Sequence, residues 1–190
     1  MLHRGGARNP DVLLVETEAG PLVVKDFAAR GWLVRRVLGP WLQRRELRAY
    51  RVLAGHPAVP RLVGRIDASA FAVEYRPGRR MSRRLAGEIR PGFAERLAAA
   101  VRAMHARGVV HLDLRHRSNV LVDECGDPVL IDFASALVVR PGGCLARALA
   151  RFDWVAVEKW RQRVEPPATG AGAGGSTGSS GGRRGASRPT

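Results

Sequence analysis

Cysteine, lysine, aromatic residues and acidic side chains are all scarce in this chain. The two cysteines, Cys125 and Cys144, form no CxxC pair. They suggest neither a disulfide framework nor a thiolate zinc site, and they fit a reducing compartment. Aromatic residues make up 6% of the chain, few for an interface that stacks nucleic-acid bases. No apolar run approaches the roughly 20 residues of a membrane span. The first stretch, MLHRGGARNPDVLL, lacks the apolar centre of a signal peptide. A cytoplasmic location is the expectation.

Acidic residues number 17 against 32 basic ones, which leaves a net charge of +15. Lys25 and Lys159 are the only lysines; every other basic residue is arginine. The arginines are spread along the chain, alongside abundant Ala, Gly and Pro, as a GC-rich coding sequence would give. Specific nucleic-acid binding is not expected. The long-range field favours acidic ligands such as nucleotides, and it is compatible with peripheral contact with an anionic membrane.

Residues 166–190 consist of small, polar and arginine side chains and read as a disordered tail, because nothing there offsets the entropy of ordering. Ahead of it, Val12 to Glu16 and Leu22 to Phe27 read as a hairpin turned at Thr17 to Gly20. Trp41 to Ala54 is helical in pattern, with Trp41, Leu42, Leu47, Tyr50 and Leu53 on one side and Gly55 as the stop. Arg61 to Ile66 and Ala70 to Tyr75 are strand candidates, and Pro77-Gly78 breaks the chain after them. Phe93 to Arg107 is helical, with Gly108 as terminator. Val120 to Val122 and Val129 to Ile131 form a second hairpin. Ala146 to Arg163 reads as a last helix, with Leu149, Phe152, Val155, Val157 and Trp160 apolar. The order gives an α+β fold: a small antiparallel lobe, then a mostly helical one.

The chemistry concentrates between His111 and Phe133, in HLDLRHRSNVLVDECGDPVLIDF. Asp113 lies in a polar loop after an apolar helix, suited to accepting or aligning the proton of an acceptor hydroxyl. Asn119 and Asp132 sit at matching ends of the predicted hairpin, where two oxygen ligands can hold Mg²⁺ beside phosphate oxygens. Arg115 is a donor for the transferring phosphate, and His111 reads as a packed residue bracing the loop rather than as a catalytic group. Lys25 is a compact point charge for phosphates in a chain that otherwise uses arginine. Glu46, on the following helix, is its natural partner.

These residues resemble, in order, the protein-kinase-like superfamily. Lys25 in VVKDF looks like the lysine of the third strand, and Glu46 like its helix partner. Glu74 and Tyr75 in AVEYRPG resemble the hinge that meets adenine. HLDLRHRSN resembles the catalytic loop, and Asp132-Phe133-Ala134 the metal-binding element. The flavour is that of small bacterial kinases allied to RIO and lipopolysaccharide core kinases, and FDWVAVEKWRQR looks like a helix of that group. The resemblance implies a two-lobed kinase-like domain over residues 1–165, with a β N-lobe at about 11–75 and a short helical C-lobe at about 78–165. It implies ATP and Mg²⁺ as cofactors, and a hydroxyl acceptor on a protein Ser/Thr or a glycolipid sugar. Three departures stand out. Asn119 comes six residues after Asp113, one more than the usual spacing, so either the loop bulges or Ser118 takes the metal. Ala134 replaces glycine in the metal-binding element, which makes a flipping switch less expected. Gly5 and Gly6 are the only candidates for a phosphate-covering glycine loop. The alternative is a catalytically weak pseudokinase that binds nucleotide or scaffolds a partner.

Overall fold

The computed structural model describes residues 10–26, 39–82, 85 and 88–164. The expectations for Gly5, Gly6, Phe27 and the tail at 166–190 lie outside the described residues.

A four-stranded antiparallel sheet comes first. It is built from β1 (Asp11–Val15), β2 (Leu22–Asp26), β3 (Leu62–Arg65) and β4 (Ala70–Glu74), in the order β1-β2-β4-β3. The turn between β1 and β2 closes through Thr17, and Gly20 takes the positive φ of 110° that it requires. The register pairs Lys25 with Phe71 across β2 and β4. Alternation along β2 turns Lys25 to the buried side.

Helix α1 (Gly39–Val52) starts at Gly39-Pro40, where a proline suits the first turn, and the chain leaves it through Gly55 at φ 71°. Its buried side carries Gln43, Glu46, Leu47 and Tyr50. The Tyr50 ring meets Phe71 of the sheet at 6.3 Å and Phe133 edge-on at 5.1 Å. One expectation fails here, since Trp41 is 56% exposed. Trp41, Arg44, Arg48 and Arg51 recur at helical spacing on the exposed face, so the fold gathers arginines that the sequence spreads out.

The remaining elements form a second antiparallel group. β5 (Arg79–Arg80), β7 (Val120–Val122) and β8 (Pro128–Leu130) make a three-stranded sheet, and β6 (Val109–Val110) pairs with β9 (Leu137–Val138). Helix α2 (Phe93–Ala106) packs against α3 (Cys144–Val164). Leu97, Val101 and Met104 share their core with Val157, Trp160 and Val164. Gly108 ends α2 at φ 77°, and a Cβ there would come within 2.3 Å of the Val139 carbonyl, so only glycine fits. Among the described residues the result is an α+β arrangement of antiparallel sheets and three α-helices. Among the described residues no helix is long and apolar enough to cross a membrane.

Helix α3 covers the last helix expected. Its buried line runs through Ala146, Asp153, Ala156, Val157, Trp160 and Val164. Of the apolar residues noted in this helix, Phe152 and Val155 are 60% and 55% exposed, while the carboxylate between them is fully buried.

Candidate active site

Three segments from distant parts of the chain meet at Lys25. Its ammonium donates to Glu46 Oε1 at 2.5 Å and to Asp132 Oδ1 at 2.8 Å. The Lys25 and Glu46 side chains are 8% and 1% exposed, whereas that of Asp132 is 47% exposed. The trio is therefore anchored inside and open at one carboxylate. Burial disfavours the lysine charge, but Glu46 and then Asp132 outweigh it and push the ammonium pKa above the ordinary lysine range. Lys25 in turn holds the Asp132 carboxyl below the usual carboxylate range, against its partial burial.

Asp132 sits at φ 64° and ψ 73°, a left-handed conformation that aspartate tolerates better than most residues. The next residues, Phe133–Ser135, form a single 3₁₀ turn. Arg45 of α1 fastens that turn, donating from Nε to the Ala136 carbonyl at 2.8 Å and from Nη2 to the Ser135 carbonyl at 2.5 Å. Helix α1 thus holds the Asp132 segment twice, through Glu46 by way of Lys25 and through Arg45 directly. Arg45 escaped the sequence reading, because one arginine among many on a basic helix carries no signal of its own.

The Asp113 loop closes from the other side. The β7–β8 register sets Val120 opposite Leu130, and Ile131 N–H donates to the Asn119 carbonyl at 3.0 Å. Asn119 and Asp132 therefore stand at neighbouring strand ends, as expected. Asn119 Nδ2 donates to the Asp113 carbonyl at 2.9 Å and to Asp113 Oδ2 at 2.8 Å. The six-residue spacing does not displace it: two turns, His116 N to Asp113 O and Asn119 N to His116 O, take up the extra residue. Ser118 Oγ donates to Asn119 Oδ1 at 3.0 Å. Arg115 is exposed, and its carbonyl accepts from Lys159 Nζ at 2.7 Å. Glu74 ends β4 with its carboxylate on the Arg61 N–H at 3.0 Å, and Tyr75 N–H donates to the Pro21 carbonyl at 3.3 Å.

Asp153 holds the base of this loop and was missed from sequence. Its carboxylate accepts from His111 N–H and Leu112 N–H, both at 2.8 Å, and from His105 Nε2 at 2.9 Å. Trp160 Nε1 adds a bond to the Leu114 carbonyl at 2.9 Å. The available signal was the buried line of α3, in which an Asp occupies a position that otherwise takes apolar residues. His111 packs as expected: it is fully buried, faces the Phe133 ring at 4.8 Å, and donates from Nε2 to the Ile131 carbonyl at 3.0 Å.

Two buried histidines give the stability a pH dependence. Burial holds the His111 and His56 imidazoles below the ordinary value of 6.5. In each ring Nδ1 accepts a backbone N–H, from Asp113 and Ala58 respectively, which the neutral form requires. As the pH falls through about 6.5 the unfolded chain takes up these protons before the folded one does, so stability falls with pH. The urea midpoint is expected to hold between about pH 8 and 7 and to drop between about pH 6.5 and 5. A flat profile across that window contradicts the neutral assignment.

Residues 2–108 match the family model described as the phosphotransferase enzyme family (APH). The chain belongs to that family. The match takes in Lys25, Glu46, Glu74 and Tyr75 and ends ahead of Asp113. The phosphotransferase is also 34% identical over 150 residues to a protein of Oryza sativa subsp. japonica named CBL-interacting protein kinase 12. That likeness covers 73% of this chain and 26% of the rice protein, so the chain spans about a quarter of that relative's length. Both similarities place the phosphotransferase in the protein-kinase-like superfamily.

The donor set suits a hard cation. Among the described residues no group of three or more His, Cys, Asp or Glu side chains could form a metal cage. Mg²⁺ asks for less, typically one or two carboxylates with phosphate oxygens and water making up the rest. Asp132 offers a half-exposed carboxylate with one oxygen on Lys25, and Asn119 offers its amide oxygen.

Proposed function

We propose that this phosphotransferase is an ATP- and Mg²⁺-dependent kinase that transfers the γ-phosphoryl group to a hydroxyl acceptor. The observation that carries the proposal is the Glu46–Lys25–Asp132 chain of ion pairs, which brings one cation and one open carboxylate together beside the Asp113–Asn119 pair. In this reading residues 11–75 form an N-lobe and residues 78–165 a C-lobe, with the nucleotide between them. Glu74 and Tyr75 lie at the passage between the lobes and meet the adenine through backbone groups.

Lys25 contacts nucleotide phosphates, and Glu46 keeps it charged and pointed. Asp132 and Asn119 would hold Mg²⁺, which supplies charge neutralisation on the phosphate oxygens when bound. Asp113 receives or aligns the acceptor hydroxyl proton, with Asn119 fixing its carboxylate. Arg115, exposed on the same loop, reaches for the transferring phosphate. The acceptor is a protein Ser/Thr or a glycolipid sugar hydroxyl. Positioning and electrostatics do most of the work in such a transfer, which is why rigid support of these groups matters.

A second reading, a weakly active pseudokinase, draws on one detail. Ser118 caps the Asn119 amide oxygen that a metal needs, so loading the site requires that hydroxyl to turn away.

Thermal shift with Mg-ATP tests nucleotide binding, since a ligand that binds only the folded state raises its apparent stability. At ligand about a hundredfold above its dissociation constant the gain is about 2.7 kcal/mol. Lys25→Met is expected to abolish the shift. The same change strips Glu46 of its counter-charge and lets burial drive its carboxyl up, so the apo protein should lose about 3 kcal/mol or more. The double variant Lys25→Met with Glu46→Gln should regain part of that stability and none of the ATP shift. An undiminished shift in both variants removes Lys25 from the phosphate site.

A further inference from the structure

The outer face of α3 has no role in the candidate site. Leu145, Phe152 and Val155 are 60%, 60% and 55% exposed, and Ala148 between them is exposed too. Their spacing of three, four and three residues stacks them on one side of a 21-residue helix. Three large exposed apolar side chains in one row on a basic, otherwise polar helix mark a contact surface rather than the scattered exposure of an ordinary surface.

The flank of that row carries charges of both signs. Arg147 and Arg151 lie beside its N-terminal half and Glu158 beside its C-terminal half, all three exposed. Neither arginine forms an ion pair among the described residues; Arg147 touches only the Cys144 sulfur, at 3.4 Å. Glu158 is held by Gln162 at 2.9 Å and loosely by Arg161 at 3.5 Å, while Arg161 has its main partner in Glu95 at 2.5 Å. Exposed pairs of this kind are worth little and are easily exchanged.

We propose that this face pairs with a second copy of the same chain as an antiparallel, two-fold symmetric helix dimer. A two-fold axis between residues 153 and 154 packs Phe152 on Val155 of the other copy and Val155 on its Phe152, so one patch serves both sides. Ala148 then faces the other copy's Lys159, and its small side chain leaves room for the lysine stem. An axis across the helix keeps each flank against its own counterpart. Glu158 of one copy falls level with residue 149 of the other, about 3 Å along the axis from both Arg147 and Arg151 at 1.5 Å per residue. Both ends of the interface thus match plus to minus. In a parallel pairing the axis runs along the helices and puts the two charged flanks on opposite sides of the pair, out of reach of each other, so the charges favour the antiparallel form. The buried side of the same helix holds the Asp113 loop through Asp153 and Trp160, while Lys159, which donates to the Arg115 carbonyl, lies at the edge of the pairing face, so the interface borders the Arg115 end of that loop.

Sedimentation velocity of the full chain over a concentration series tests this. The wild-type chain is expected to show a reversible monomer–dimer equilibrium. Phe152→Asp should raise the dissociation constant about 30-fold or more, as loss of a central anchor does, with the thermal midpoint of the dilute chain unchanged. Arg147→Glu with Arg151→Glu should weaken the dimer about tenfold, and adding Glu158→Arg to that pair should restore it. The restoration is specific to the antiparallel register. A monomer at all concentrations overturns the proposal, as does a dimer indifferent to Phe152→Asp or a charge swap that fails to restore. A monomer that sediments with phosphatidylglycerol vesicles, and stops doing so in Phe152→Asp, also overturns it and assigns the face to lipid.

Discussion

Replacing Asp113 by asparagine is expected to slow phosphoryl transfer from Mg-ATP about 10²- to 10⁴-fold, the range a positioned general base contributes. At about 1.36 kcal/mol per decade this is roughly 3–5 kcal/mol of transition-state stabilisation. The substitution is nearly isosteric, and the asparagine oxygen can still accept from Asn119 Nδ2, now 2.8 Å from the carboxylate. The backbone bond from Asn119 to the carbonyl of residue 113, at 2.9 Å, does not involve the side chain at all. Fold and Mg-ATP thermal shift should therefore survive while turnover falls. Release of labelled γ-phosphate, with water or the protein itself as acceptor, reads the effect without knowledge of the physiological acceptor. An unchanged rate in a folded, nucleotide-binding Asp113→Asn chain removes this carboxylate from the chemistry.

The residues of that proposal were legible because each broke a local habit of the sequence. Lys25 stands out in an arginine-rich chain, and a strand that alternates inward carries it to a buried position facing Glu46. Asp113, Asn119 and Asp132 were legible because a polar loop, a short strand, a turn and a second strand bring three polar groups together by local connectivity alone. What failed depended on tertiary contacts. β5 and β9 are two residues each, too short for any periodicity, and exist because β7 and β6 offer them partners. The loop at 113–119 looked one residue too long, yet the excess vanishes into backbone turns that no spacing rule counts. Trp41, grouped on hydrophobicity with Leu42, Leu47, Tyr50 and Leu53 on one side of its helix, is exposed. In α3 the apolar pattern offers two faces, one through Phe152 and Val155 and one through Asp153. The buried line 146, 153, 157, 160, 164 fits the helical period equally well, and only the bonds to His111 and Leu112 decide between the two faces.

Asp153→Ala is expected to cost about 3–5 kcal/mol of folding stability, a large share of the 5–15 kcal/mol typical of a domain. The side chain is fully buried and accepts three hydrogen bonds, from two backbone N–H groups and the His105 ring. Alanine leaves the His111 N–H without a partner at a fully buried residue, and an unmet buried donor costs about 1–3 kcal/mol. Leu112 adds to the loss, because its φ of 68° is unfavourable for a side chain of that size and persists only while its surroundings impose it. With the Asp153 bond gone, Leu112 can relax to negative φ and carry Asp113, the next residue, out of line with Asn119. Asp153 thus acts as a positioning residue, and its loss should register twice. Urea unfolding should show the lower midpoint. Turnover by the remaining folded protein should fall as well, with Mg-ATP binding by Lys25 and Asp132 largely kept. Asp153→Asn separates the two effects: one oxygen can still take one backbone N–H while its amide opposes the other donor, so an intermediate stability loss is expected. If Asp153→Ala unfolds at the wild-type midpoint, the buried carboxylate does not hold the catalytic loop, and the geometry that aims Asp113 must come from Trp160 and Asn119 alone.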